Sequence, residues 1–188
     1  PAGGYQANTT AGFSIIDFTG TGANGTMAHG LSSAPELLIV KQRDDAAHDW
    51  QTGSSYSTSW AYRLKLNDNV AEAEVTSSFN STAPTSSVFT IGDNSDVNED
   101  AHTYIAYCFH SVQGYSKFGK YEGNGNADGP FVYTGFKPAM IIKKGTGSGD
   151  WHISDNKQNS YNAFDNALRP NTSNGTETGN TVDFLSNG

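Results

Sequence analysis

The sequence predicts an all-β protein: two tandem antiparallel units of β-sandwich or jelly-roll-like design, the second of them incomplete. Three observations carry this. Of 188 residues, 21 are Gly, 20 Ser, 18 Thr and 17 Asn, a turn-rich composition that still holds 12% aromatics and so is no disordered linker. Apolar runs are short and bounded by Gly/Asn/Asp/Ser clusters at 20–26, 52–59, 92–100, 123–129, 145–150 and 171–180, the pattern of strands joined by turns. The chain also repeats itself. Phe18-Thr-Gly-Thr-Gly22 matches Tyr121-Glu-Gly-Asn-Gly125, and Pro35-Glu-Leu-Leu-Ile-Val-Lys41 matches Pro138-Ala-Met-Ile-Ile-Lys-Lys144, both at an offset of 103; Asp49-Trp50 then matches Asp150-Trp151.

The elements follow in order. Residues 1–10 are an extended N-terminal segment with Tyr5 as its one large apolar side chain. The first unit, 11–114, opens with a strand at Gly12–Phe18 that glycines terminate. Glu36–Lys41 is a continuous apolar run after a proline, as in a strand buried on both faces. Tyr62–Leu66 alternates, so one of its faces is wet. Val88–Ile91 and Tyr104–Val112 complete the unit. In the last of these, Ile105, Tyr107 and Phe109 share one face and Tyr104, Ala106 and Cys108 the other, which predicts a central or covered strand. The second unit, 115–188, offers strands at Gly129–Tyr133, Ala139–Lys143 and Trp151–Ser154. Short helical turns are expected within 69–78 and 162–168, the latter stopped by Pro170. Val182–Gly188 reads as the counterpart of Val88–Gly92, so the partner of the 102–112 strand is expected to be absent from the second unit. With Pro1 in place of an initiating Met, the sequence reads as part of a longer polypeptide, or as a subunit whose last strand a neighbour donates, for which 1–10 is the available donor.

Net charge is −8 with only 16% charged residues. Such a surface lacks the basic footprint of a nucleic-acid binder, and no apolar run approaches the roughly 18 residues of a membrane span. One cysteine, Cys108, permits no intrachain disulfide. Catalysis finds little support. Glycoside chemistry needs two carboxyls across one bond, but Glu72 with Glu74, and Asp49 with Asp150, lack the aromatic and polar surroundings of a sugar cleft. Ser148 lies between glycines with no strand-turn-helix around it. No enzyme is therefore expected. No cofactor is expected either, although Asp93, Asp96 and Asp100 make a weak calcium candidate, with oxygen ligands but not the spacing of a helix–loop–helix calcium site. The binding candidates are aromatic: Trp50 and Trp151, whose recurrence in the repeat fits a core tryptophan that each copy needs before it fits an exposed platform, and Trp60 with Tyr56 in a Ser/Thr-rich loop, where Trp60 is expected to be exposed. Tryptophan stacks on sugar rings and anchors interfaces.

Several blocks resemble a known family: Ala11–Ile16, Gly30–Lys41, Ala83–Phe89, Tyr104–Phe109, Gly114–Gly119, Tyr121–Gly125, Asp128–Phe136 and Asp183–Gly188. They are similar to an uncharacterised repeat-bearing β domain of tail-fibre-like virion proteins of tailed bacteriophages, many of them marine, and the likeness covers nearly the whole chain. It implies a non-enzymatic structural protein of a virion, attachment to a host-surface glycan or protein, and self-association or contact with other virion proteins in a fibre. It further implies a virion or extracellular location after synthesis in the host cytoplasm without a signal peptide, and it brings no catalytic residues. Two other classes remain open: a carbohydrate-binding module of a secreted or cell-surface protein, and a subunit of an extracellular filament.

Overall fold

The computed structural model describes residues 1–179 and 181–188. It is all-β, and every strand pair is antiparallel. The strands are β1 (Ala2–Asn8), β2 (Phe13–Thr19), β3 (Gly25–Ala28), β4 (Leu37–Gln42), β5 (Gln51–Ser54), β6 (Tyr62–Lys65), β7 (Ala73–Glu74), β8 (Val88–Ile91), β9 (Thr103–Phe109), β10 (Met140–Lys143) and β11 (His152–Asp155). Among the described residues two single-turn helices, α1 (Thr76–Phe79) and α2 (Ser95–Asn98), interrupt them.

Among the described residues one sheet runs β1-β2-β9-β4-β5-β6-β7, and smaller ladders join β3 to β8 and β10 to β11. β9 lies centrally, as its two-faced apolarity demands. Tyr104, Ala106 and Cys108 are fully buried, while Ile105, Tyr107 and Phe109 are half-buried on the other face. The buried face of the large sheet (Ile16, Phe18, Leu38, Val40 and the even residues of β9) forms one core with Met27, Phe89 and Ile91 of the β3–β8 layer and with Phe79 and Val97 of the helical turns. Two apolar faces closing on each other give the sandwich-like arrangement. Burial pushes the Cys108 thiol up to about 12, so it sits there as a small hydrophobe.

The repeat is visible in the register. Leu38, Ile39 and Val40 of β4 face Gly53, Thr52 and Gln51, and Ile141, Ile142 and Lys143 of β10 face Ser154, Ile153 and His152 in the same way. Ser55 N–H donates to Glu36 O (2.9 Å), and Asn156 N–H to Ala139 O (3.0 Å). Leu168 pairs with Ile153 as Leu64 pairs with Thr52. Phe164 packs on Phe184 (centroids 4.9 Å) where Trp60 packs on Phe79 (6.0 Å, edge-on).

These equivalences correct several expectations. Phe184 is the counterpart of Phe79, so Val182–Gly188 corresponds to the α1 region and not to Val88–Gly92. Residues 162–168 form no helix: they hold the place of β6 and make bridges at Phe164, Ala167 and Leu168. Of the 69–78 stretch only residues 76–78 are helical, as part of α1 (Thr76–Phe79), and Ala73–Glu74 is a strand edge. Residues 129–133 form no strand. Their counterpart β3 is a strand because β8 pairs with it, and a counterpart of β8 does not occur among the described residues. The N-terminal segment is strand β1, paired along its length with β2 of its own chain, Ala2↔Thr19 to Asn8↔Phe13.

One difference between the units is compensated. A Cβ on Gly53 would sit 2.6 Å from Phe79 Cε2 and 3.0 Å from the Trp60 ring. Ser154 occupies the equivalent place in the second unit, where the smaller Phe164 stands for Trp60. Gly53→Ser is therefore expected to cost about 1–3 kcal/mol through overpacking, and Trp60→Phe in the same chain should recover part of that loss. Urea denaturation of both single variants and the double variant measures the coupling.

Candidate functional site

Each unit carries the same side-chain clamp, at the entrance to β5 in the first and to β11 in the second. In the first unit the Trp50 backbone N–H donates to Asn67 Oδ1 (2.9 Å), Asn67 Nδ2 donates to Asp49 Oδ1 (2.8 Å), and Lys65 Nζ lies 2.7 Å from Asp49 Oδ2. In the second, Trp151 N–H donates to Asn171 Oδ1 (2.9 Å), Asn171 Nδ2 to Asp150 Oδ1 (2.7 Å), and Arg169 NH1 to Asp150 Oδ2 (2.5 Å). Arg169 also pairs with Glu177. Burial works against the charge of Asp49, but the hydrogen bonds from Lys65 and Asn67 and the Lys65 and Arg63 charges hold its carboxyl below the usual range. At Asp150 the bond from Asn171 leads, with the Arg169 charge, in the same direction. The clamp fixes the backbone at the tryptophan and leaves the indole to the surroundings, which differ. Trp151 is 8% exposed, and its Nε1–H donates to Lys65 O (2.8 Å) in the first unit. Trp50 is only half-buried and stacks on Tyr107 (6.3 Å).

That stack belongs to a larger aromatic face. Strand alternation sends Phe13 and Ile15 of β2, Tyr107 and Phe109 of β9, and Ile39 of β4 to the side of the seven-stranded sheet opposite the core. Phe13 stacks on Phe109 (4.8 Å) and on Tyr107 (6.4 Å), and Phe118 folds back over Phe109 (5.8 Å). The Phe118 N–H is held by Ser111 Oγ (3.0 Å). All four aromatic side chains are half-buried and Ile15 is exposed. A rigid sheet thus carries Trp50, Tyr107, Phe13, Phe109 and Phe118 on one side, a surface suited to flat apolar contacts or ring stacking.

The other predicted residues fall elsewhere. Trp60 is 8% exposed, inside the core against Phe79, so the expectation of an exposed aromatic is wrong. Gly53 makes room for its ring. Tyr56 is half-buried, and its hydroxyl donates to Glu36 Oε1 (2.5 Å), which pushes the phenol up to about 12. Glu72 accepts from Thr58 N–H (3.0 Å) and Thr58 Oγ1–H (2.8 Å). Of the acidic cluster, Asp93 and Asp100 are exposed, while Asp96 turns inward and joins three elements. Its Oδ2 accepts from Arg63 NH1 (2.6 Å) and Gln51 Nε2 (2.9 Å), and its Oδ1 lies 2.9 Å from His48 Nδ1. Its carboxylate is thus occupied by donors of the chain itself, and the described residues include no group of three or more His, Cys, Asp or Glu poised on one ion. Sequence reasoning missed Phe13, Tyr107, Phe109 and Phe118 as surface residues. The alternation of β9 placed Tyr107 and Phe109 on one face, but only the topology shows which face the β3–β8 layer leaves uncovered.

The fold and site thus define an antiparallel β protein with two copies of one unit, an aromatic sheet face on the first and a paired Asp-Trp clamp. A family model described as "Domain of unknown function (DUF7483)" matches residues 3–188, and the chain belongs to that family. No curated protein and no solved structure matches it.

Proposed function

We propose that the chain is a non-enzymatic structural module of a virion, of tail-fibre kind, that helps attach the particle to its host within a fibrous assembly. The observation that carries the contact role is the aromatic face of the seven-stranded sheet: Trp50, Tyr107, Phe13, Phe109 and Phe118, half-buried and stacked on a rigid support. Large, stiff side chains bind at low entropic cost. The virion setting rests on the resemblance of the sequence blocks, and the repeated unit suits an extended assembly. The partners are other copies or other virion proteins on one side and a host-surface glycan or protein on the other. The acidic charge disfavours nucleic acid, and no helix among the described residues is long and apolar enough to cross a membrane.

Binding of the purified chain to intact host envelopes tests this reading. Trp50→Ala is expected to weaken binding by roughly tenfold or more while leaving the denaturation midpoint within a small shift, because the clamp holds the backbone of residue 50 and not its ring. Equal binding by the variant would refute the role of this face. The half-buried Trp50 also favours a second reading, a carbohydrate-binding module of a secreted or cell-surface protein. A glycan array tests this second reading: no millimolar-or-better binding of any sugar class would exclude it, and would leave a host-surface protein as the partner in the first.

A further inference from the structure

A buried histidine joins the two chain segments that flank the β3–β8 ladder. The ladder ends at Ala28↔Val88, and His29, the next residue, is fully buried. Its Nδ1 accepts the backbone N–H of Leu31 (3.1 Å), and its Nε2 lies 3.1 Å from Thr85 O. A backbone N–H can only donate and a carbonyl can only accept, so the ring is neutral with its proton on Nε2. Both nitrogens are thus committed. Thr85 in turn leads into β8: its N–H donates to Val88 O (2.8 Å), and its Oγ1 accepts from Val88 N–H (3.1 Å). One imidazole therefore holds the exit from β3 against the entry to β8. Leu31, whose N–H it accepts, belongs to the core.

The surroundings offer nothing to a charged ring. His110, which follows β9, is itself buried, and among the described residues it is the one charged group that acts on His29, with like sign. The His110 Nε2 has no hydrogen-bond partner among them. Cys108, on the same face of β9, is a neutral thiol. Tyr5 of β1 lays its ring on Gly30, and residues 82–88 carry no ionisable side chain. Glu36, the nearest acid along the chain, is taken by the Tyr56 hydroxyl and the Ser111 N–H. Burial, joined by the His110 charge, holds His29 below its ordinary value, and the bond to Thr85 opposes this without prevailing.

We propose that His29 is an acid-sensitive latch: a proton taken up at Nδ1 turns the acceptor of the Leu31 N–H into a donor, breaks that bond, and frees residues 29–31 from 85–87, opening this end of the β3–β8 layer and uncovering Leu31. The opening is local, because β2, β9 and β4 are held by their own ladders. The closed ring resists the proton, and the released ring accepts it near the ordinary histidine value of about 6.5. The latch is therefore fully closed above that value, and its hold weakens about tenfold per pH unit below it until the closed ring itself titrates. It depends neither on the aromatic face nor on a virion setting.

Amide hydrogen exchange of the full 188-residue chain, expressed as protection relative to the free-peptide rate at each pH, tests this residue by residue. Between about pH 7.5 and about pH 5.5 the Leu31 amide is expected to lose about tenfold in protection. The amides of Ile16 and Ala106, paired in the β2–β9 ladder, should keep theirs. Imidazole nitrogen-15 shifts of the same protein should show His29 neutral, with its proton on Nε2, at the higher pH, a measurement that needs no variant. His29→Gln, which cannot titrate, should flatten the Leu31 response whatever it does to stability, and His110→Gln, which leaves the latch in place, should retain it. Unchanged Leu31 protection, an equal loss at Ile16 and Ala106, a proton on Nδ1 at the higher pH, or a response that survives in His29→Gln or vanishes in His110→Gln would each overturn the inference.

Discussion

Replacing Tyr104 by alanine is expected to cost the first unit about 4 kcal/mol, the range for removing a large aromatic from a core, a large share of the roughly 5–15 kcal/mol that holds an ordinary domain folded. Tyr104 is fully buried at the end of β9, its ring stacks on Phe18 (5.2 Å), and its hydroxyl donates to Ser95 O (2.6 Å) and accepts from Glu99 N–H (2.8 Å). One side chain thus ties the central strand to β2 and to both ends of α2. Burial pushes its phenol up to about 12, so it remains a donor at all ordinary pH. Tyr104→Phe keeps the ring but strands Ser95 O and Glu99 N–H, and should cost only about 1–2 kcal/mol. Denaturant unfolding followed by near-ultraviolet circular dichroism orders the three proteins. A Phe variant as damaged as the Ala variant would show that the two hydrogen bonds, and not ring packing, dominate.

Asp96→Asn should be nearly as damaging, at about 3 kcal/mol, because it leaves Arg63, only 13% exposed, beside a neutral amide in a site built for a carboxylate. The loss is pH-dependent with a definite sign. Burial raises the Asp96 pKa, but the bonds and charges of Arg63 and His48 outweigh it and hold the folded value below the unfolded one, which is near 4. The carboxylate thus stabilises the fold fully above about pH 4–5, and that contribution disappears as pH falls through the folded value. Glu36 is also held low: burial opposes, but bonds from Ser111 and Tyr56 prevail. The denaturation midpoint of the wild type should therefore fall on acidification below about pH 5, and the gap to Asp96→Asn should narrow there. A gap that widens would contradict this assignment.

The parts of the fold readable in the sequence are those whose signal is local. β2, β4 and β9 carry long alternating or continuous apolar runs, and the two-faced apolarity of β9 placed it at the centre. β1 and β5, Ala-Gly-Gly-Tyr and Gln-Thr-Gly-Ser, carry no such pattern; they are strands because β2 and β4 offer them ladders. Context acts the other way at 129–133, where apolar residues suggest a strand and the described residues offer no partner strand to make one. The repeat was readable at Asp49-Trp50 and Asp150-Trp151, but its clamp was not. Lys65 and Asn67 align with Arg169 and Asn171 only after the spacing slips within the unit, and the stretch at 162–168 reads locally as helix. The burial of Trp60 is not legible because its sequence neighbours are polar, whereas the room for its ring comes from Gly53, seven residues earlier on β5.

The virion assignment is the central claim, and its most direct test is gold labelling of particles. Antibody raised against the purified chain is applied to virions from a lysate in which the chain is made, and the label is located by electron microscopy. The account predicts gold on an elongated, tail-proximal appendage, at a regular position from particle to particle. Label confined to the soluble fraction or to the bacterial surface, with none on particles, would contradict it.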